Sequence, residues 1–251
     1  MLLECQCLSV SSSPLIKTLV LIPTYNERDS IAELIWAIRT QIPAADVLVI
    51  DDGSPDGTGQ FVSEMGARDP QVSVMQRGAK LGLGTAYIAG FRHALRDTYE
   101  CVIGMDADFS HDPTRLPHLV AAAADSDVVI GSRYVPGGST PDWKIHRRFL
   151  SRFANWVART TLRLPVRDCT TAYRCYRREA LAALNLDSVD VVGYSFLIEM
   201  TRQCVTAGLR IRELPIQFID RRVGKSKMSG KIIAEALRYI LRHAGRNGRR
   251  T

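Results

Sequence analysis

Short apolar runs alternate with segments of helical periodicity through the first half of the chain. Between the runs, apolar residues recur every three or four positions, as in residues 31–38, which predicts amphipathic helices. This alternation is typical of βαβ units, whose ligand sites lie at the carboxyl ends of the strands. We therefore predict an α/β fold, a Rossmann-like and mostly parallel sheet flanked by helices in a single domain. The predicted strands cover residues 18–23, 46–50, 72–76, 101–106 and 127–131.

The sequence after Ser132 has a different organisation. A Gly- and Pro-rich loop leads into a basic amphipathic helix, and further helices and one late strand follow. These elements are predicted at residues 144–162, 180–184, 196–207, 210–215 and 232–241. We divide the chain into a disordered lead, two halves of one domain, and a basic C-terminal helix and tail. The lead is residues 1–17, the two halves are residues 18–132 and 133–230, and the C-terminal helix and tail are residues 231–251.

Acidic pairs follow two of the predicted strands. Asp51 and Asp52 end one strand, and Asp106 and Asp108 end another. Carboxylate oxygens suit hard divalent cations, and Mg²⁺ is often held by one or two carboxylates together with substrate phosphates. The basic segment 77–80 lies between the pairs in sequence. An Asp-Asp-Gly-Ser motif is by itself an ordinary turn, but the combination predicts a site for a nucleoside diphosphate with Mg²⁺ or Mn²⁺.

The chain is basic, and its charge is unevenly distributed. The formal net charge is +7 and the pI is about 9.3, with basic residues concentrated in residues 142–167 and after residue 220. Such surfaces bind nucleic acid, anionic lipid or phosphorylated substrates. No apolar run approaches the ~20 residues of a membrane-spanning helix, and no secretory signal is recognised. The six scattered cysteines favour reduced thiols in a cytosolic protein.

Several segments, taken in order, resemble one enzyme family. Residues 22–27, 49–58, 105–111 and 131–134 resemble inverting family 2 glycosyltransferases, which have the A-type nucleotide-sugar fold. The resemblance is narrowed to dolichyl- and polyprenyl-phosphate mannose synthases by residues 77–87, 168–174, 193–196, 220–221 and 224–227. It implies that residues 18–230 are a glycosyltransferase domain, with a nucleotide-sugar half (18–132) and an acceptor half (133–230).

The resemblance implies roles for the matching residues. Donor binding is expected at Pro23, Tyr25, Glu27, Asp51, Asp52, Lys80 and Asp106. The metal ligands are expected to be Asp106 and Asp108. The acceptor phosphate is expected at Arg133, Arg147 and Ser151, with Arg148 as the alternative to Arg147. A mobile loop with Arg221 and Lys227 is expected to close over the diphosphate, which makes the catalytic set Asp108, Arg133, Arg221 and Lys227. Asp168 and Arg174 are expected to support or line the site.

The activity implied by the resemblance is mannosyl transfer from GDP-mannose to polyprenyl or dolichyl phosphate. A lipid phosphate is ionised at neutral pH, so this reaction needs no general base. The metal stabilises the leaving diphosphate, and attack from the opposite face inverts the anomeric centre. One alternative is a related transferase that uses UDP-glucose or another sugar nucleotide and has a lipid phosphate or a polysaccharide as its acceptor. Another is a basic protein that binds nucleic acid or a lipid surface; the intact acidic pairs argue against this class, and we expect no nucleic-acid partner.

A lipid acceptor predicts contact with a membrane surface. We expect a peripheral protein on the cytoplasmic face, attached through the cationic amphipathic helices at residues 144–162 and 229–243. For the second helix, packing of the apolar face into the core is the favoured interpretation. A separate membrane-anchor protein is the alternative means of attachment.

Overall fold

The computed structural model describes residues 16–189, 195–220 and 238–243. Its sheet has seven strands in the order β3-β2-β1-β4-β6-β5-β7. The strands are β1 (Thr18–Thr24), β2 (Asp46–Asp51), β3 (Val72–Gln76), β4 (Cys101–Gly104), β5 (Val128–Ser132), β6 (Arg174–Arg177) and β7 (Ile211–Pro215). The helices are α1 (Ile31–Gln41), α2 (Thr58–Gly66), α3 (Leu83–Arg96), α4 (Leu116–Ala122), α5 (Ile145–Thr161), α6 (Arg178–Ala182) and α7 (Ser195–Thr206). Residues 238–243 are also helical, and 3₁₀ turns form at Pro113–Arg115 and Leu186–Ser188.

The sheet is mostly parallel, which confirms the predicted fold. Strands β1 to β4 pair in parallel, as do β5 and β7, whereas β6 runs antiparallel between β4 and β5. The strand order reverses between β1 and β4, because β2 and β3 extend the sheet to one side and the later strands to the other. In open α/β sheets, ligands bind in the crevice at such a switch point, beyond the carboxyl ends of the strands.

Both faces of the inner strands of the sheet are buried. Along β1, Leu19 and Leu21 pack into one apolar cluster with α3, α5 and α7, while Val20 and Ile22 pack into another with α1, α2 and α4. Successive side chains of a strand point to opposite faces of the sheet. A strand that is covered on both faces therefore has a continuous apolar sequence. This burial makes the sheet a rigid support for the loops at its carboxyl edge.

Two expectations about the strands are wrong. The strand predicted to end at Asp106 ends at Gly104. The chain leaves the sheet there because the Asp106 N–H donates to His111 Nδ1 at 3.0 Å instead of to a neighbouring strand. Strand β6 was not predicted, because its sequence is Arg-Cys-Tyr-Arg. The strand forms because Arg174, which is 1% exposed, donates to the carbonyl oxygens of residues 169, 171 and 197.

The predicted terminal regions, residues 1–17 and 231–251, fall largely outside the described residues. Of these regions, the structure describes residues 16–17 and 238–243. In the helical stretch 238–243, Tyr239 and Ile240 are buried, and the Tyr239 hydroxyl donates to Glu199 on α7. This part of the C-terminal helix therefore packs against the core. Within the described ranges, no helix combines the length and apolar character needed to cross a bilayer.

Candidate active site

The acidic pair after β2 holds the neighbouring loops in place. Asp51 is 3% exposed, and its carboxylate accepts hydrogen bonds from the Ser54 N–H at 3.0 Å and the Thr24 hydroxyl at 3.2 Å. Asp52 accepts from the Gly82 N–H at 3.0 Å, and its other oxygen lies 3.3 Å from Arg77 Nη1. Both side chains thus connect loops at the carboxyl edge. Direct contact of either carboxylate with a nucleotide stays a prediction.

The loops after β1 and β3 bring several predicted donor-binding residues together. Lys80 is exposed, and its Nζ lies 3.9 Å from the centre of the Tyr25 ring. The approach depends on Gly53, whose φ is +71° and where a Cβ would lie 3.1 Å from the Ala79 nitrogen. Pro23 and Glu27 flank Tyr25 in the β1 loop, where the Glu27 N–H donates to Thr58 Oγ1 at 3.1 Å. The fold therefore brings Tyr25 and Lys80 together, and their contact with a nucleotide stays a prediction.

The Asp106–Asp108 loop leaves the sheet beside β1. Asp108 is 9% exposed and accepts from the Ser110 N–H at 3.0 Å, whereas the Asp106 side chain is 31% exposed. Two carboxylates in one loop, completed by diphosphate oxygens and water, are a ligand set that Mg²⁺ prefers. In the described part of the chain, no group of three His, Cys, Asp or Glu residues is arranged to hold a metal. The donor set therefore fits a divalent cation shared with a substrate.

His111 supports this loop from inside the protein. Its ring is 0% exposed, accepts the Asp106 N–H at Nδ1 and stacks on Tyr173 with 4.8 Å between ring centres. Its Nε2 is 3.8 Å from Asp106 Oδ2, too far for a hydrogen bond, and no other described residue bonds to it. Burial lowers the pKa of His111 to about 3, so the ring is neutral. The hydrogen bond from the Asp106 N–H to His111 Nδ1 gives His111 a structural role. The same bond explains why the strand ends before Asp106.

Arg133 follows β5 and is already paired with an acid. Its Nε and Nη2 each lie 2.7 Å from an oxygen of Asp168, and Nη2 also donates to Thr170 Oγ1 at 2.7 Å. Burial acts to lower the pKa of Arg133, but the charge of Asp168 raises it above its usual value. The charge of Asp106 makes a smaller contribution in the same direction. The Nη1 group makes no hydrogen bond to any described residue.

Arg147 on α5 is the second predicted acceptor residue. Its Nη1 contacts both oxygens of Asp220, at 2.8 and 3.0 Å, and its guanidinium lies 4.0 Å from the Trp143 ring centre. The Arg133 guanidinium lies 5.5 Å from the same ring and 5.4 Å from that of Phe218. Trp143 therefore brings the two predicted acceptor arginines together. The alternative, Arg148, instead donates to the Thr140 carbonyl at 2.9 Å.

Ser151, the third predicted acceptor residue, is 8% exposed and accepts from the Tyr134 hydroxyl at 2.6 Å. Sequence reasoning did not single out Trp143, Tyr134 or Phe218. A single aromatic residue near a Gly- and Pro-rich loop does not indicate a role in the site. Its role depends on contacts with residues that are distant in sequence. Arg221 and Lys227 lie outside the described residues.

Comparison with known proteins places the chain in a family. The model of glycosyl transferase family 2 matches residues 19–184. An undecaprenyl-phosphate mannosyltransferase of Micrococcus luteus is 45% identical to this chain. The match covers 90% of this chain and 93% of the length of that relative. A polyprenol monophosphomannose synthase of Mycolicibacterium smegmatis is 46% identical over 89% of this chain and 85% of its own.

The fold is shared with a solved enzyme. Glucosyl-3-phosphoglycerate synthase of Mycobacterium tuberculosis, solved with Mn²⁺, UDP and its product, superimposes with a TM-score of 0.66 at 19% identity. The match covers 91% of this chain and 80% of that one, and it confirms the predicted A-type fold. The names of the two sequence relatives agree with the narrower resemblance found in the sequence. The chain belongs to glycosyl transferase family 2.

Proposed function

We propose that this protein transfers mannose from GDP-mannose to a polyprenyl phosphate of the dolichyl type. The products are polyprenyl-phosphate β-mannose and GDP, because attack on an α-linked donor from the opposite face inverts the anomeric centre. The names of the two sequence relatives support mannosyl transfer and a lipid-phosphate acceptor. The observation that carries the proposal is that the guanidinium groups of Arg133 and Arg147 both lie near the Trp143 ring, at 5.5 and 4.0 Å. Arg133 also lies 5.4 Å from the Phe218 ring, which packs against His111 of the acidic loop.

The two arginines have the chemistry that an acceptor phosphate requires. Asp168 binds part of the Arg133 guanidinium, and Asp220 binds part of the Arg147 guanidinium. Nη1 of Arg133 and Nη2 of Arg147 make no hydrogen bond to any described residue. A guanidinium fork can hold phosphate oxygens at fixed angles. The acidic partners fix the direction of each fork and balance part of its charge when no acceptor is bound. Ser151 is proposed to donate a further hydrogen bond.

The donor is proposed to bind along the carboxyl ends of β1, β2 and β3. Tyr25 and Lys80 would contact the nucleotide, with Pro23 and Glu27 beside them and with Asp51 and Asp52 holding their loops. Asp106 and Asp108 would hold Mg²⁺ or Mn²⁺, which neutralises charge on the departing diphosphate. Arg221 and Lys227, outside the described residues, stay part of the proposed catalytic set.

No residue needs to act as a general base in this scheme. His111 is the histidine next to the acidic loop, and it is buried and neutral with a pKa of about 3. A phosphate monoester is an ionised nucleophile at neutral pH. The protein's task is therefore to hold two anions close together, for which the charges of Arg133 and Arg147 are suited.

The α5 helix is proposed to lie on the cytoplasmic face of the membrane. One side of it exposes a run of large apolar side chains. Their exposed fractions are 84% for Ile145, 72% for Phe149, 40% for Leu150, 49% for Phe153 and 56% for Trp156. Arginines at positions 147, 148, 152 and 159 flank this side. Apolar residues between arginines are typical of helices that lie in an anionic interface. A membrane-anchor protein stays the alternative.

The test is transfer of radiolabelled sugar to a short-chain polyprenyl phosphate in the presence of Mn²⁺. GDP-mannose and UDP-glucose are supplied in parallel, and the lipid product is extracted and counted. The proposal predicts a labelled lipid from GDP-mannose alone. Label from UDP-glucose alone would overturn the donor assignment, and a folded protein without product from either would contradict the proposed reaction.

A variant tests the acceptor site within the same assay. Arg147→Gln is expected to raise KM for the polyprenyl phosphate by about tenfold or more, because one charge-assisted contact is lost. Arg163→Gln removes the same charge from an exposed position just beyond α5 and is the matched control. Equal values of KM in the two variants would contradict the assignment of Arg147.

A further inference from the structure

A second basic site lies beside Tyr134 and adjoins the proposed acceptor site. It is a cavity of about 270 Å³ between α5 and the segment that precedes β6. Compared with the ~30 Å³ share of one water molecule, this volume has room for a small polar headgroup. None of Arg133, Arg147 and Ser151 lines it. Its lining residues are Tyr134, Arg152, Asn155, Trp156, Arg159 and Arg167.

The cavity is basic and has no acidic lining residue. Among the residues that the structure describes, none forms an ion pair with Arg152, Arg159 or Arg167, unlike the acceptor arginines with their acidic partners. The nearby carboxylate of Glu213 accepts hydrogen bonds from the backbone N–H groups of Arg167 and Asp168, at 2.7 and 2.9 Å. Three guanidinium groups around one cavity repel one another, and an anion bound between them would relieve that repulsion.

The base of the cavity is preformed by hydrogen bonds and adjoins the acceptor site. Asn155 is 2% exposed, donates to Thr170 Oγ1 at 3.0 Å and accepts from the Cys169 N–H at 2.9 Å. Tyr134 lines the cavity and donates its hydroxyl hydrogen to Ser151 at 2.6 Å, whereas Ser151 itself does not line the cavity. The polar groups at the base are thus already bonded, and the arginines are the groups that a ligand would contact.

The rim of the cavity continues into the exposed apolar side of α5. Trp156 lines the cavity and stacks on Phe153 with 5.8 Å between ring centres, and Phe153 stacks on Phe149 at 6.5 Å. An indole at the edge of a basic cavity matches the headgroup level of a bilayer, where tryptophan is favoured. The opening therefore lies where a lipid headgroup, rather than a soluble metabolite, would be presented.

We propose that this cavity binds the phosphodiester headgroup of an anionic membrane phospholipid that is not the acceptor. The inference rests on the proposed function only in placing α5 at the membrane. Arg152, Arg159 and Arg167 contact the phosphate oxygens, and Trp156 and Phe153 contact the start of the acyl chains. A phospholipid bound in the cavity fixes the orientation of α5, and of the protein with it, at the membrane surface. The acceptor site is thereby held towards the lipid.

The test is calorimetric titration of the full chain with dihexanoyl phosphatidylglycerol below its micelle concentration. Dihexanoyl phosphatidylcholine and inorganic phosphate are titrated in parallel. Saturable binding of phosphatidylglycerol is expected, with little binding of either of the other two. Inorganic phosphate that binds as tightly as the lipid would overturn the lipid assignment, as would phosphatidylglycerol that competes with polyprenyl phosphate in the transfer assay.

Variants distinguish a built site from general attraction by charge. Arg159→Gln is expected to weaken phosphatidylglycerol binding about tenfold or more, and Arg159→Lys to restore only part of it, because the planar fork is lost. Arg163→Gln removes one charge outside the cavity and is expected to bind as the wild type does. Equal weakening in Arg159→Gln and Arg163→Gln would overturn the proposal. Lipid binding is measured without sugar transfer, so a chain that binds phosphatidylglycerol but transfers no mannose contradicts the proposed function alone.

Discussion

Arg133 and Asp168 form a two-point ion pair in which the side chains are 7% and 0% exposed. The pair joins the end of β5 to the segment that precedes β6, and it directs the remaining Nη1 group of Arg133 away from Asp168. Burial acts to raise the pKa of Asp168, but the charge and hydrogen bonds of Arg133 keep it below its usual value. Asp168 is therefore ionised at neutral pH and acts as the positioning residue for Arg133.

The first prediction concerns the stability of this pair. Asp168→Asn is expected to lower the free energy of unfolding by about 3–5 kcal/mol, because it leaves the Arg133 charge buried without a counter-charge. Urea unfolding measures the change. Asp127→Asn is the matched control, since it breaks an exposed pair with Arg210 and is expected to cost about 1 kcal/mol or less. A loss in Asp168→Asn no larger than in the control would show that the buried pair has no special role.

The second prediction concerns pH. The folded protein keeps His111 neutral, with a pKa of about 3, whereas the unfolded chain takes up a proton at this residue below about pH 6.5. The unfolded state then binds more protons, so stability falls as pH falls, by up to about 1.4 kcal/mol per pH unit from this group. Urea unfolding between about pH 6.5 and 4.5, above the usual carboxylate range, measures the slope.

Two histidine variants assign that slope. His111→Gln removes the titrating group and is expected to flatten the dependence of stability on pH. His118→Gln changes an exposed histidine on α4 and is expected to keep the wild-type slope. An unchanged slope in His111→Gln would mean that another group causes the acid sensitivity.

The third prediction concerns the exposed side of α5. Phe149 and Phe153 are 72% and 49% exposed, so Phe149→Ser with Phe153→Ser is expected to leave the melting temperature nearly unchanged. Binding to vesicles with anionic lipid is expected to weaken by about tenfold or more, since each phenylalanine contributes about 1.5–3 kcal/mol when fully buried. Trp36→Ser, at a residue that is 70% exposed on α1, is the control for a general loss of apolar surface. Equal vesicle binding by the control and the double variant would contradict membrane contact through α5.

Strands β1, β2, β4 and β5 could be predicted because burial on both faces gives each a continuous apolar run, as in Val47 to Ile50. Strand β6 could not, since Arg174 and Arg177 flank it and the neutral groups that accept from Arg174 come from distant segments. Local sequence also predicted that the chain would stay extended to Asp106. The hydrogen bond to the His111 ring, a tertiary arrangement of a nearby residue, ends the strand earlier.

The same distinction applies to the site. Residues directly after strands could be assigned to the carboxyl edge, and Tyr25 and Lys80 meet there as the fold requires. The state of each residue could not be predicted, because it depends on partners far away in sequence. Arg133 was expected to meet a phosphate, and its pairing with Asp168 spans 35 residues. The cavity beside Tyr134 likewise has no sequence motif, since its arginines come from a helix and a later loop.

The central claim is that the acidic loop after β4 supports metal-dependent mannosyl transfer. The most direct measurement is the rate of transfer from GDP-mannose to polyprenyl phosphate for wild type and Asp108→Asn, with EDTA and after Mn²⁺ is restored. Asp125→Asn, at an exposed position, is the charge-matched control. EDTA is expected to abolish wild-type transfer and Mn²⁺ to restore it, and Asp108→Asn is expected to be slower by about 10²-fold or more, because a metal contributes several kcal/mol. Wild-type rates in Asp108→Asn, or transfer that is insensitive to EDTA, would contradict a metal-dependent reaction at this loop.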